Sequence, residues 1–556
     1  MRHIKTILAV CATLGTVTAC DNAYDPGAPA VDPTAPRVHI TTPERGTIAG
    51  DVTTLTVKGT ATDDQGVTSV TVNGVVAAVN VDGTFEAAVP VQPGTYLLQA
   101  IAKDATGNTG KETRAVVVGP MEPVAQSVPE SISAAISAQA FDAVGRGLTG
   151  YVTGPTLMST VTPLNPVVNY GAPNGPDCLY VQGSITSLQM GGSTKISLQP
   201  MPGGIYLDAT FDHPTIGMQL QYAAACIDGG RPVTATAQKI HVTGTLKLGV
   251  NGKDFAISFE DQNVQITGFD VDLGGVPGAI VDMLHLDTAM GPVIGWVTEN
   301  VAVPYVNKMF SDLNKTQTIT VLGTQVDINL KPARITCDVN GAIVELDSEI
   351  RAHNDAGSPG FVYVPNVVPN MSLAQGFQMA VADDAANQLL GSFWAAKGMD
   401  VKLDLKNGSY GEIGTLYDKV ELSAKVPPFV DASGDKLRLT IGDLMATFKH
   451  GDEVATQIAL NARLDVKVVA GDNGALRLDV GTPEVFIDVM DEGVEGANQL
   501  SNAQFEAVAS FGLSRVVAFG SGALGAVPLP AFGGVSVSDV AINPADGYLI
   551  VGGDIN

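Results

Sequence analysis

The stretch Ile240-His-Val-Thr-Gly-Thr-Leu-Lys-Leu-Gly-Val250, with Phe255-Ala-Ile-Ser-Phe259 and Val264-Gln-Ile266 after it, places an apolar or small residue at alternate positions. Alternate residues of a strand face opposite sides of a sheet, so this reads as long antiparallel strands with one buried face. The same period runs through residues 150–270, for instance at Ile205, Leu207 and Ala209 before Phe211. It resumes at Ile319, Val321, Val326, Ile328, Leu330, Ile335, Val339 and Val344.

Helical spacing interrupts these runs. Ser127-Val-Pro-Glu130 has the form of a capping box with Pro in the first turn, and Val128, Ile132, Ile136, Ala140 and Val144 recur every four residues. An amphipathic helix is expected there. A second is expected over 293–313, with Val293, Trp296, Val297, Val301, Tyr305 and Met309, kinked at Pro304. A third, over 382–397, puts Ala386, Leu389, Leu390 and Phe393 on one face. Strands follow it at Ile458, Leu460, Ala462, Leu464, Val466 and Val468, and again after Gly471-Asp-Asn-Gly474. A closing helix near 499–519 gathers Leu500, Ala503, Ala507 and Phe511. Helix, strands, helix, strands thus occurs twice, a duplication of architecture without a readable sequence repeat.

Composition agrees. The 556 residues are 45% hydrophobic and 16% charged, which excludes a disordered chain, and 62 Gly with 32 Pro favour strands and turns. Fifty-seven acidic against 31 basic residues give a net charge of −26, so nucleic acid is excluded as a partner held by a basic field. No apolar run beyond the N-terminus is long enough to span a bilayer as a helix.

Residues 37–119 form a smaller β unit. Val38 and Ile40, Leu55 and Val57, and Val70, Val72 and Val75 alternate, and Asn73-Gly74 fits a two-residue type I′ hairpin turn. Gly59-Thr-Ala-Thr-Asp-Asp-Gln-Gly-Val67, Asp82-Gly-Thr-Phe85 and Ala102-Lys-Asp-Ala-Thr-Gly-Asn108 resemble bacterial immunoglobulin-like domains. Asp63, Asp64 and Asp104 are read as turn-making acids in preference to calcium ligands, since no full oxygen-ligand spacing accompanies them.

The N-terminus reads as an export signal over residues 1–20, with Arg2 and Lys5 ahead of an apolar stretch from Ile7 to Val17. Val17-Thr-Ala-Cys20 resembles a bacterial lipobox. That resemblance implies cleavage before Cys20 and diacylation of its thiol, leaving a lipid-anchored protein of the cell envelope. Outer membrane or cell surface is favoured, with inner membrane as the alternative. Residues 21–36 then form an extended tether reaching up to about 50 Å at roughly 3.1 Å per residue. Of the other cysteines Cys11 leaves with the signal, and an exported chain is expected to oxidise two of the remaining three. Cys178 with Cys226 is the preferred pair, and either alternative with Cys337 stays open. No Cys has a second Cys or a His at ligand spacing, so no metal is expected.

Ala382-Asp-Asp-Ala-Ala-Asn-Gln-Leu-Leu390 with Phe393-Trp394 and Gly398, and the end of the chain from Pro528-Leu-Pro530 to Leu549-Ile-Val-Gly-Gly-Asp554, resemble the bactericidal/permeability-increasing protein family. Gly203-Gly-Ile-Tyr-Leu-Asp208 and Phe211 resemble the same tubular lipid-binding superfamily. The likeness extends over about residues 125–556 through short motifs. It implies an α+β fold: two tandem tubular modules, each a long twisted antiparallel sheet wrapped around helices, joined by a central sheet and holding acyl chains in apolar grooves. Ile136, Val297, Val301 and Met309 are then expected to line the first groove, and Leu390, Phe393, Leu464 and Phe511 the second. The basic clusters of family members that bind lipopolysaccharide are missing here, so apolar or neutral ligands fit better.

Enzyme signatures fail on context. Gly520-Ser-Gly-Ala-Leu-Gly525 has dinucleotide spacing, but Pro528 and Pro530 stop any helix that would face a pyrophosphate. No nucleophile elbow, Walker loop or zinc-protease motif occurs. Asp383 and Asp384 stand at a helix start, where carboxylates stabilise the helix dipole. The expectation is a non-enzymatic, cofactor-free lipoprotein that binds or shuttles lipid or another apolar small molecule. Its parts are a signal (1–20), a tether (21–36), an immunoglobulin-like β-sandwich (37–119) and tubular modules at 120–352 and 353–556. The rival is an adhesion or structural lipoprotein, with the immunoglobulin-like domain binding a partner and the modules as scaffold.

Overall fold

The computed structural model describes residues 34–555 apart from 173–178, 282–315, 471–475, 491–506, 513–536 and a few shorter gaps. At the N-terminal end two sheets face each other. One orders the strands Arg37–Thr42, Thr54–Thr62, Thr84–Pro90 and Ala78–Val79; the other orders Thr47–Ile48, Thr109–Val118, Gly94–Asp104, Val67–Val72 and Val75–Val76. Their inward residues Ile40, Val57, Val70, Phe85, Leu98 and Val116 form one core, as the alternation predicts. Asn73 and Gly74 both take positive φ, +48° and +81°, the geometry a type I′ turn demands. The Asp104 carboxylate accepts the backbone N–H groups of Thr106, Gly107 and Asn108, so this acid closes a loop.

The rest is organised about a seven-stranded antiparallel sheet in the order Gln317–Val321, Thr324–Asp338, Gly341–Ala352, Val128–Ser137, Phe377–Ala382, Tyr548–Ile555, Val537–Ala545. It draws strands from both sides of residue 352. One expectation is corrected at its centre. Val128–Ser137 is a strand, and the helix begins only at Ala138, where Ser137 Oγ accepts the Ala140 N–H at 3.2 Å. The strand pairs on both edges, and Ser131, Ser133, Ala134 and Ala135 are buried along with Ile132 and Ile136. A strand covered on both faces loses its alternation, so a spacing of four in its apolar residues was misleading there.

Two further sheets extend the first half. A five-stranded one comprises Val168–Gly171, Tyr180–Gln189, Thr215–Ala224, Ile227–Thr236 and Asp270–Asp272; a four-stranded one comprises Lys195–Met201, Gly204–Asp212, Lys239–Asn251 and Asp254–Thr267. The second half has a seven-stranded sheet built on the long pair Leu437–His450 and Glu453–Ala470. The helix Asp383–Ala395 lies where the spacing puts it. It divides two cores: Phe393 packs with Ile136 and Leu389 in one, Leu390 with Leu464 and Phe511 in the other.

Candidate functional site

The opening stretch of the sequence becomes the four-stranded sheet, and its two faces differ. On one, Leu207 lies opposite Leu198, Phe211 opposite Ile240, Leu246 opposite Phe259, and Leu248 opposite Ile257. The other carries Asp208, His241, Lys247 and Ser258, with His241 Nε2 2.9 Å from Asp208. The apolar positions of the last strand change from odd (Phe255, Ile257, Phe259) to even (Val264, Ile266). A bulge absorbs the change: Thr245 pairs Glu260 while Thr243 pairs Asn263, and Asp261 takes φ +54°. One extra residue restores the phase, so all five side chains share the apolar face. Gly244 belongs to the same design. A Cβ there would come 2.4 Å from the Phe259 ring, so only glycine lets that ring lie across the strand.

The helix Ala138–Thr153 and the central-sheet strand Thr324–Asp338 cover part of this face. In Ala138–Thr153, Gly145 approaches so closely that a Cβ would stand 2.8 Å from the Ile196 carbonyl oxygen. Thr149 Oγ1 accepts the Ile196 N–H and donates to the Gly145 carbonyl, both at 2.9 Å. The helix is thus fastened over Lys195–Met201, at one edge of the sheet. Towards the other edge, Phe255, Ile257, Phe259, Val264 and Ile266 are each only partly buried, as are Leu207 and Phe211. Among the described strands, Asp254–Thr267 pairs with Lys239–Asn251 alone.

The second half is closed along its inner strands, while Val485, Ile487 and Val489 of its strand Glu484–Val489 are partly buried. Leu439, Ala446, Phe448, Ile458, Leu460 and Leu464 are all buried. Rings fill the space over them: Phe511 meets Phe448 at 6.0 Å and Tyr410 at 6.1 Å, both edge-on, and Tyr417 meets Phe448 at 4.9 Å.

The residues singled out from sequence fall as follows. Ile136 and Phe393 are buried in the core shared with the central sheet; Leu390, Leu464 and Phe511 are buried in the second-half core. Ile136 sits on a strand instead of the expected helix. Val297, Val301 and Met309 lie outside the described residues, as do Cys20 and Cys178. Cys226 is disulfide-bonded and Cys337 is a free, buried thiol. Burial, with the Asp338 charge adding to it, pushes that thiol up to about 11, which leaves it unreactive.

Asp383 and Asp384 do more than face a helix dipole. Asp383 accepts the Ala432 N–H at 2.9 Å and the Asn366 side-chain amide at 3.1 Å; Asp384 accepts the Val364 N–H at 3.1 Å. They tie two loops to the helix start. Burial raises both carboxyls, to about 6 and about 7.

The sequence reading named Leu207, Phe211, Phe255, Ile257 and Phe259 as strand residues and missed them as a site. The usable signal was the break of parity between Phe259 and Val264, which keeps one face apolar over an unusual length.

Residues 36–119 match the family model of glucodextranase domain B. No curated protein matches the chain. Among solved structures, lipopolysaccharide binding protein is similar over 77% of this chain and 99% of its own, at 14% identity and a TM-score of 0.39. P47 from Clostridium botulinum A2 is similar over 77% of this chain and 98% of its own, at 10% identity and a TM-score of 0.25. SGBP-B of the Bacteroides ovatus mixed-linkage glucan utilization locus, in complex with a heptasaccharide, is similar over 42% of this chain and 70% of its own. Its identity is 13% and its TM-score 0.12.

Proposed function

We propose that the protein is an exported lipoprotein, anchored through Cys20, that binds lipid or another apolar molecule on the four-stranded sheet of a tubular first module. The observation that carries this reading is the half-covered apolar face bearing Leu207, Phe211, Phe255, Ile257 and Phe259, whereas the residues expected to line a second groove, Leu390, Phe393, Leu464 and Phe511, are all buried in protein. A soluble chain gains by covering such a face, and each methylene it buries contributes about 0.8 kcal/mol. A ligand held this way needs no charged clamp, which suits a chain with 57 acidic and 31 basic residues. The reading assigns no catalytic residues. It moves the binding role from both modules to the first.

Native mass spectrometry and lipid extraction of the gently purified mature protein test the proposal, followed by uptake of a fluorescent fatty acid after delipidation. Bound lipid, or saturable uptake lost in Phe259→Asp, is expected. A protein that carries no lipid and takes up no probe would leave the adhesion or scaffold reading in its place.

A further inference from the structure

The immunoglobulin-like domain is seated on the second half of the molecule. Leu97, Ala115 and Val117 pack against Val426 and Phe429, and Thr95 Oγ1 donates to the Pro427 carbonyl at 2.6 Å. Glycines bring the surfaces together: a Cβ on Gly442 would come 2.3 Å from the Ala115 methyl.

Beside this apolar contact lies a charged one. Arg45, in the loop after Arg37–Thr42, reaches Glu112 at 3.2 Å and Asp488 at 3.1 Å, and also pairs with Asp443. Arg114 Nε donates to Glu112 at 2.9 Å. Two backbone N–H groups of Thr109–Val118 cross the junction: Thr113 donates to Asp488 and Ala115 to Asp443, each at 3.0 Å. The side chains are little exposed, from 0% for Asp443 to 13% for Asp488. Three carboxylates therefore share two guanidiniums in a place with little water. From the other surrounding elements, His39 Nδ1 lies 3.3 Å from Glu112 with its ring mostly exposed, and the exposed Lys425 backs onto Gly46.

We propose that docking of the immunoglobulin-like domain is proton-linked: the junction holds one carboxylate too many, so the domain seats more firmly when that carboxylate takes a proton. Asp488 is the group that takes it. Burial raises its carboxyl to about 6, with Glu112 adding to the rise and Arg45 opposing it. Burial raises Asp443 too, whereas the three carboxylates keep Arg45 charged despite burial. Undocked, Asp488 returns towards its ordinary 3.8. A group whose docked value is the higher one contributes its stabilisation fully below the undocked value and loses it as pH rises through the docked value. The working window therefore runs from about 4 to about 6. Acidification from pH 7 to pH 5 strengthens docking about tenfold.

Hydrogen exchange on the whole mature chain tests this. After correction for intrinsic rates, protection of the Thr113 and Ala115 amides is expected to rise about tenfold from pH 7 to pH 5. Amides within Thr54–Thr62, in the sheet of the same domain that does not face the junction, serve as the reference and should change less. Asp488→Asn should hold the junction amides at high protection at both pH values. Protection that does not rise in the unaltered protein, or that rises equally in Asp488→Asn, overturns the proposal. If that variant fails to fold, Asp488→Ser, which likewise cannot ionise, takes its place with the same two outcomes.

Discussion

Arg45 and Asp443 stand 398 residues apart and form an ion pair in which the aspartate side chain is wholly buried. The pair joins the immunoglobulin-like sandwich to the sheet of the second half. Nothing near either residue in sequence announces it, because its geometry exists only once both domains are folded and docked.

Removing one member of such a pair leaves the other as an uncompensated buried charge. Arg45→Met is expected to cost about 3–5 kcal/mol, read as a lower urea midpoint. The double variant Arg45→Met with Asp443→Leu should recover part of that loss, since two apolar side chains replace two desolvated ions. Equal midpoints for the single variant and the parent would show that the pair contributes nothing.

Asp384 should give the fold a measurable pH dependence. Its carboxyl is held at about 7 against an ordinary 3.8, mainly by burial, with the Asp383 charge adding. The stabilisation from its bound proton is complete below 3.8 and is lost as pH rises through about 7. Asp384→Asn keeps an oxygen to accept the Val364 N–H and cannot ionise. Its melting temperature should therefore change less than the parent's between pH 5 and pH 8, a comparison that scanning calorimetry makes directly.

The cysteines predict a simple pattern of reactivity. Peptide mapping without reduction is expected to find Cys226 linked to Cys178, and Cys337 should resist alkylation at pH 8 until the chain unfolds, because the thiolate is the reactive form. A linked peptide containing Cys337 would overturn the pairing.

Cys20→Ser removes the only thiol at which a diacylglycerol would be attached. The variant should stay as an uncleaved precursor or leave the membrane fraction. Fractionation with membranes after correct processing would show that the anchor lies elsewhere.

Much of this fold was legible in the sequence wherever a period stayed constant: Ile240 to Val250, Ile458 to Val468, and the helix from Asp383 to Ala395. Reading failed where tertiary pairing set the local structure. Val128–Ser137 carries apolar residues four apart, yet it fills the centre of a sheet because Gly341–Ala352 and Phe377–Ala382 pair with both of its edges. The site was half legible. Its apolar alternation was plain, but which side chains stay partly exposed depends on how far the helix Ala138–Thr153 and the strand Thr324–Asp338 reach across the sheet, and Gly145 and Thr149 fix that helix to one edge.

The last prediction sets Ile257 against Leu439. Both are apolar strand residues, but Ile257 is partly buried on the half-covered face and Leu439 is buried in the second-half core. Glutamine at Leu439 must bury an amide among apolar neighbours that offer it no partner, at a cost of about 3–5 kcal/mol. Glutamine at Ile257 can turn its amide towards water, so the loss should stay near or below about 1 kcal/mol. Ligand binding should respond in the opposite order. If lipid lies along Phe255, Ile257 and Phe259, Ile257→Gln places a polar group against the acyl chain and weakens uptake about tenfold or more. Leu439→Gln lies in the other half and should leave the affinity of the surviving folded molecules unchanged. Thermal melting and titration with a fluorescent fatty acid, run side by side, check both halves. A melting temperature that collapses in Ile257→Gln would make this face a packed core, and binding unchanged in a stable Ile257→Gln would place the ligand elsewhere.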